Sequence, residues 1–167
     1  AYETIAVRVD EGVGWLAFGR PRVLNAFDPV LMEETTSALA DFAADERVHA
    51  IVVHGTGRAF SAGFDIKASA QAPERGPAEW RTVLEADFDF IMQFWDHPKP
   101  TIAAIHGYCL GGAFELALAC DVSVAGEAML LLPAARQRLA GRLLVVCAAD
   151  RGAGLERVRV RGGGQGT

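Results

Sequence analysis

The stretch Thr101-Ile102-Ala103-Ala104-Ile105-His106-Gly107-Tyr108-Cys109-Leu110-Gly111-Gly112-Ala113-Phe114-Glu115 decides the fold. Thr101 to His106 is a short apolar run of strand length, of the kind buried on both faces. Gly107 to Gly112 reads as a tight turn, and Gly112 to Ala119 as a helix. The first N–H groups of such a helix have no intrahelical partner and carry the positive end of its dipole. They suit a developing oxyanion, where loss of one donor costs about 3–4 kcal/mol. Glu115 follows Gly112 by three residues, so the two share one side of the first turn. A carboxylate then stands beside any carbonyl held at Gly112, as proton transfer requires. Taken alone, Glu115 reads more readily as a first-turn acid that merely complements the dipole. A nucleotide-binding reading is weaker, because neither G-x-G-x-x-G nor G-K-[ST] is present.

A second small-residue segment lies upstream, Arg58-Ala59-Phe60-Ser61-Ala62-Gly63-Phe64-Asp65. It follows a strand expected over Ala50 to His54. Small side chains at 61 to 63 let a ligand approach the backbone closely. The same residues also suit a plain strand-to-loop turn without a ligand.

Working outward, Thr4 to Val9 and Val13 to Phe18 are expected to form a hairpin about Glu11-Gly12, with Ile5, Val7 and Val9 on one face. Asp28-Pro29 announces a helix, Asp as N-cap and Pro in its first turn. Leu31, Thr35, Ala38, Leu39 and Phe42 follow at helical spacing. Gln71 to Pro77 reads as a polar loop. A second helix is expected over Ala78 to Trp95, with Trp80, Leu84, Phe88, Ile91 and Trp95 facing the core or another subunit. His97-Pro98-Lys99-Pro100 stops it. Val122 to Ala125 reads as a strand. Strands alternating with helices argue for α/β architecture.

The 167 residues amount to one domain with a sizeable core. A net charge of −5 gives no general affinity for nucleic acid. Cys109, Cys120 and Cys147 are an odd number without paired spacing, so neither a disulfide framework nor a metal site is expected, and a reducing compartment fits. The acidic start resembles no signal peptide, and no apolar stretch reaches the roughly 20 residues that cross a bilayer. The expectation is a soluble, cytoplasmic protein with no membrane partner. His106 and Cys109 could pair as base and thiol, though packing is the plainer reading. Beyond Met129 the cations are all arginine (136, 138, 142, 151, 157, 159 and 161), and the chain ends in an Arg/Gly-rich stretch.

Four motifs in register resemble the enoyl-CoA hydratase/isomerase (crotonase) family over roughly residues 1–128. They are Pro21-Arg22-Val23-Leu24-Asn25-Ala26, Phe60 to Ile66, Lys99 to Gly107, and Gly111-Gly112-Ala113-Phe114-Glu115 with Cys120-Asp121. The resemblance implies an α/β fold, a crotonase-like spiral of ββα units truncated at its C-terminus. Residues 1–133 would be the core, and 134–167 an atypical Arg/Gly-rich segment. It implies an acyl-CoA substrate, no cofactor beyond the substrate's own coenzyme A, and a homo-trimer or dimer of trimers. Ala62 and Gly112 would donate the two N–H groups that hold the thioester oxygen, and Glu115 would be one of two catalytic glutamates. Arg22, Leu24, Ala26, Phe64, Asp65 and Ile66 would lie along coenzyme A, and Gly63, Tyr108 and Gly111 complete the expected substrate contacts. The second glutamate of the family follows a proline, and if Pro133 is that proline, Ala134 takes its place. The expected activity is that of an enoyl-CoA hydratase or related enzyme. A non-catalytic acyl-CoA binder, or an inactive truncated product, is the alternative.

Overall fold

The computed structural model describes residues 2–67, 75–132 and 145–147. The chain opens with β1 (Ile5–Asp10) and β2 (Val13–Phe18), an antiparallel hairpin. Glu11 and Gly12 both take positive φ (48° and 82°), as a two-residue turn between twisted strands demands. A 3-10 turn (Pro21–Val23) leads to α1 (Pro29–Ala44). The carboxylate of Asp28 caps α1 by accepting from the Leu31 N–H at 2.9 Å. Leu31, Thr35, Ala38, Leu39 and Phe42 are its buried residues, as their spacing predicts. Its C-terminal carbonyls are met by Lys99, whose Nζ donates to Phe42 at 2.5 Å and Asp45 at 2.7 Å.

Next come β3 (Ala50–Gly55), β4 (Ala59–Ser61), α2 (Pro77–Trp95), β5 (Thr101–Leu110), α3 (Gly112–Ala119), β6 (Val122–Leu132) and β7 (Val145–Cys147). Among the described residues the strands form one seven-stranded sheet, in the order β1-β2-β3-β5-β6-β7 with β4 also on β5. All pairings after the hairpin are parallel. Parallel neighbours need crossovers, and α1, α2 and α3 supply those as far as β6. The inward residues Leu16, Phe18, Ile51, Val53, Ala103 and Ile105 form one core cluster with the helix residues Leu31, Leu39, Phe42, Phe94 and Leu116.

Three expectations change. The strand Thr101 to His106 does not end in a turn at Gly107 but continues to Leu110. Gly107 takes φ +57° and kinks β5, and the β5–β6 register shifts there. The first part of β5 pairs with β3 and the second with β4, so one strand serves both. Similarly, the strand expected over Val122 to Ala125 runs on to Leu132. On β1, Ile5 is buried but Val7 and Val9 are exposed, because β1 is an edge strand. Of the two readings of the α2 face, core or subunit contact, the core one is the third correction: Ile91 is buried with Phe90 and Phe94, while Trp80, Leu84, Phe88 and Trp95 are 42–66% exposed. The loop expected over Gln71 to Pro77 falls mostly outside the described residues, as does most of the segment 134–167. Within the latter, Val145–Cys147 pairs with β6.

A Cβ on Gly107 would overlap the Arg58 carbonyl oxygen, and the positive φ is strained for any L side chain. Gly107→Ala is expected to lower the unfolding free energy by about 3 kcal/mol. Urea denaturation measures this; an unchanged midpoint would mean that β5 tolerates another path.

Candidate functional site

The site is built on a clamp between the loop after β2 and the loop after β4. Leu24 and Asn25 are consecutive non-glycine residues at φ +54° and +55°. This conformation directs the Asn25 side chain into the core, where it is fully buried. Its Nδ2 donates to the carbonyls of Thr56 and Ala59, both at 2.9 Å, and of Phe60 at 3.3 Å. Ser61 Oγ returns a hydrogen bond to the Asn25 carbonyl at 2.8 Å and accepts from the Gly63 N–H at 3.0 Å. Arg20 completes the clamp: it donates to the Ala26 carbonyl at 2.6 Å and pairs with Asp28 at 3.0 Å and Asp65 at 3.5 Å. Behind the loop, Phe27 packs edge-to-face with Phe18, Phe64 and Phe90, centroids 5.1–5.6 Å apart.

This clamp decides which amide is left without an acceptor among the described residues. Ala62 donates its N–H to the Leu24 carbonyl at 2.9 Å, and Gly63 donates to Ser61 Oγ. Asp65 donates to the Phe27 carbonyl at 2.9 Å. The expectation that Ala62 supplies an oxyanion donor is therefore corrected: its N–H is already committed. Phe64 is the residue of this loop whose N–H meets no acceptor among the described residues. The hydroxyl at Ser61, two residues before Gly63, is the sequence signal for this turn.

The second turn lies against the first. Gly111 takes φ +56°, ψ −127°, a conformation for glycine alone. Its carbonyl accepts from Phe114 and Glu115, so helical bonding starts there, and the N–H groups of Gly112 and Ala113 have no acceptor among the described residues. A Cβ on Gly63 would stand 2.6 Å from the Leu110 oxygen and 3.0 Å from the Gly112 nitrogen. A Cβ on Gly112 would overlap the Phe64 ring. Glycine at both positions thus lets the turns touch and brings the amides of Phe64 and Gly112 into one region. Glu115, half-buried, stands one helical turn from Gly112, with no side-chain hydrogen bond or ion pair among the described residues.

The other expected contacts divide. Leu24 and Ala26 belong to the clamp, and Asp65 turns to Arg20. Arg22 and Ile66 are exposed, and Tyr108 lies on the second half of β5 with the Arg58 guanidinium 5.9 Å from its ring. Cys109 is buried and burial pushes its thiol up to about 12, so it is no thiolate partner for His106, whose Nε2 lies 3.0 Å from the Gly57 carbonyl. Among the described residues no cluster could hold a metal ion, and no helix is long and apolar enough to cross a membrane.

The profile of the enoyl-CoA hydratase/isomerase family matches residues 8–136. The chain belongs to that family. It is 41% identical over 131 residues to a probable enoyl-CoA hydratase of Rhizobium meliloti, covering 76% of this chain and 48% of that one. It is 40% identical over 119 residues to the mitochondrial enoyl-CoA hydratase of Pongo abelii, covering 69% and 38%. Among solved structures, an enoyl-CoA hydratase/isomerase from Xanthobacter autotrophicus Py2 superposes with a TM-score of 0.77 at 44% identity, covering 80% of this chain and 49% of that one. The chain spans about half the length of these enoyl-CoA hydratase relatives or less. The crotonase fold expected from the motifs is thus present, and it is partial relative to the family.

Beside the site lies a cavity of about 340 Å³ lined by Phe27, Met32, Phe64, Val83, Ala86 and Asp87, among others. Asp87 is half-buried, and burial pushes its carboxyl above the usual carboxylate range. A carboxyl raised on folding binds its proton more tightly in the folded state, so stability falls as pH rises through that range.

Two outcomes follow for these residues. Asn25→Ala strips three buried or half-buried carbonyls of their donor, and is expected to cost about 2–4 kcal/mol in chemical denaturation; a loss below 1 kcal/mol would mean the clamp is dispensable. Asp87→Asn is expected to raise the melting temperature at pH 7, with the gain shrinking toward pH 4 as the wild-type carboxyl protonates. A pH-independent difference in thermal melts would show that ionisation of Asp87 is not the cause.

Proposed function

We propose that this chain binds an acyl-CoA thioester, with the N–H groups of Phe64 and Gly112 as paired donors to the thioester oxygen. The observation that carries this reading is the close approach of Gly63 to Gly112, beside which the N–H groups of Phe64 and Gly112 meet no acceptor among the described residues. As the α-carbon loses or gains a proton, charge moves onto that oxygen, and two preoriented donors stabilise it. Each is worth on the order of a hundredfold to a thousandfold in rate. Glu115 then handles the proton at carbon or on attacking water, and its lack of another side-chain partner among the described residues supports that role. The reaction class is hydration of a 2-enoyl-CoA or a related crotonase-type proton transfer. No resident cofactor enters; coenzyme A belongs to the substrate. Acyl-CoA metabolism in the cytoplasm, with a homo-trimer or dimer of trimers as the assembly, is the setting that family membership suggests.

A second reading, binding without turnover, follows if Pro133 matches the family's proline, because Ala134 then takes the place of the second glutamate. Alanine cannot carry a proton, so Glu115 would act alone.

Calorimetry with crotonyl-CoA, followed by the loss of enoyl absorbance, separates the readings. Binding and hydration are both expected. Glu115→Gln is expected to cut turnover by orders of magnitude with affinity nearly unchanged, because only proton transfer is lost. Binding without hydration supports the second reading, and no binding by a folded chain overturns both.

A further inference from the structure

The cavity beside Phe64 has one polar group left without a task. Its apolar wall is Phe27, Met32, Phe64, Val83 and Ala86, and its volume of about 340 Å³ is that of a small-ligand site. Four charged side chains also reach it: Asp28, Asp65, Arg75 and Asp87. Asp28 pairs with Arg20 and caps α1. Asp65 pairs with Arg20. The Arg75 guanidinium lies 5.4 Å from the Trp80 ring centre. Asp87 has no hydrogen bond or ion pair among the described residues, although it is half-buried.

The cavity is joined to the amide pair through Phe64. That residue lends its backbone to the donor loop, its ring lies against Gly112, and it lines the cavity. Val83, Ala86 and Asp87 sit three and four residues apart on α2, so they share one face toward the cavity. An ionised carboxylate accepts hydrogen bonds and donates none. A ligand that satisfies it must therefore bring a donor into apolar surroundings. A hydroxyl does so at a smaller desolvation cost than an ammonium group.

We infer that Asp87 is a specificity-determining residue, and that the cavity selects acyl-CoA substrates whose acyl group carries a hydroxyl. This rests on the thioester reading above and adds the chemistry of the acyl group to it.

The test is calorimetry on the full 167-residue chain. 4-Hydroxybutyryl-CoA and 6-hydroxyhexanoyl-CoA are compared with butyryl-CoA and hexanoyl-CoA. At one chain length or both, the hydroxylated thioester is expected to bind about tenfold tighter, as a hydrogen bond to a charged acceptor allows. Asp87→Leu is expected to erase that preference while leaving butyryl-CoA affinity within about twofold, and Asp87→Asn, which keeps an acceptor oxygen, to restore part of it. Equal affinity of the wild-type chain for plain and hydroxylated thioesters overturns the inference, whatever the variants do. So does a preference that survives Asp87→Leu. If the plain thioesters bind without discrimination, the thioester reading stands and only this inference falls. If no thioester binds, both fall.

Discussion

The arrangement depends on one buried amide. Asn25 holds the carbonyls of Thr56, Ala59 and Phe60 from a left-handed backbone that it shares with Leu24. Two such residues outside glycine cost on the order of 1–3 kcal/mol each, so the conformation persists only because its surroundings over-determine it. The surroundings do so by reciprocity. Asn25 donates to the loop around β4, and Ser61 of that loop donates back to Asn25. Since Nδ2 meets three carbonyls, the opposite amide orientation would set oxygen against oxygen. Asn25 Oδ1 is left without a partner, a cost offset by Nδ2, whose two protons are shared among three carbonyls.

From that clamp the identity of the uncommitted amide follows. Backbone between Ser61 and Asp65 has its N–H groups taken one after another by Leu24, Ser61 and Phe27, and Phe64 is passed over. The second amide has a different origin, the unpaired first turn of a helix. Two unlike devices meet because glycine stands at the contact on each side. The kink at Gly107 contributes as well: β5 pairs with β3 before it and with β4 after it, so the strand that leads into α3 also carries the clamped loop. One strand thereby registers both turns.

Much of this was legible in the sequence, for reasons that can be named. Asp28-Pro29 and the five inward residues of α1 follow from capping and period alone. Gly111-Gly112 opens a helix where the glycines say it should. Gly107 misleads, because a glycine at positive φ ends a strand or kinks it, and only the partners β4 and β6 decide which. On α2 the periodicity is double. Phe90, Ile91 and Phe94 form one apolar stripe, and Trp80, Leu84, Phe88 and Trp95 another, so a period of 3.6 cannot say which packs inward. Ala62 misleads for a subtler reason. Small side chains show where a ligand can approach, but which N–H is free depends on hydrogen bonds to a loop 36 residues away.

The two parts of the site also differ in what sustains them. The amide donors belong to the backbone, and every contact that orients them is also a contact that stabilises the fold. A substitution that preserves the clamp, the glycine contact and the start of α3 preserves the donors automatically. A proton-transferring carboxylate has no such protection, since removing it from an exposed or half-exposed position costs the fold little. Binding and turnover therefore come apart in a predictable order as such a chain diverges. The amide geometry lasts as long as the fold does, whereas a carboxylate can be lost one side chain at a time.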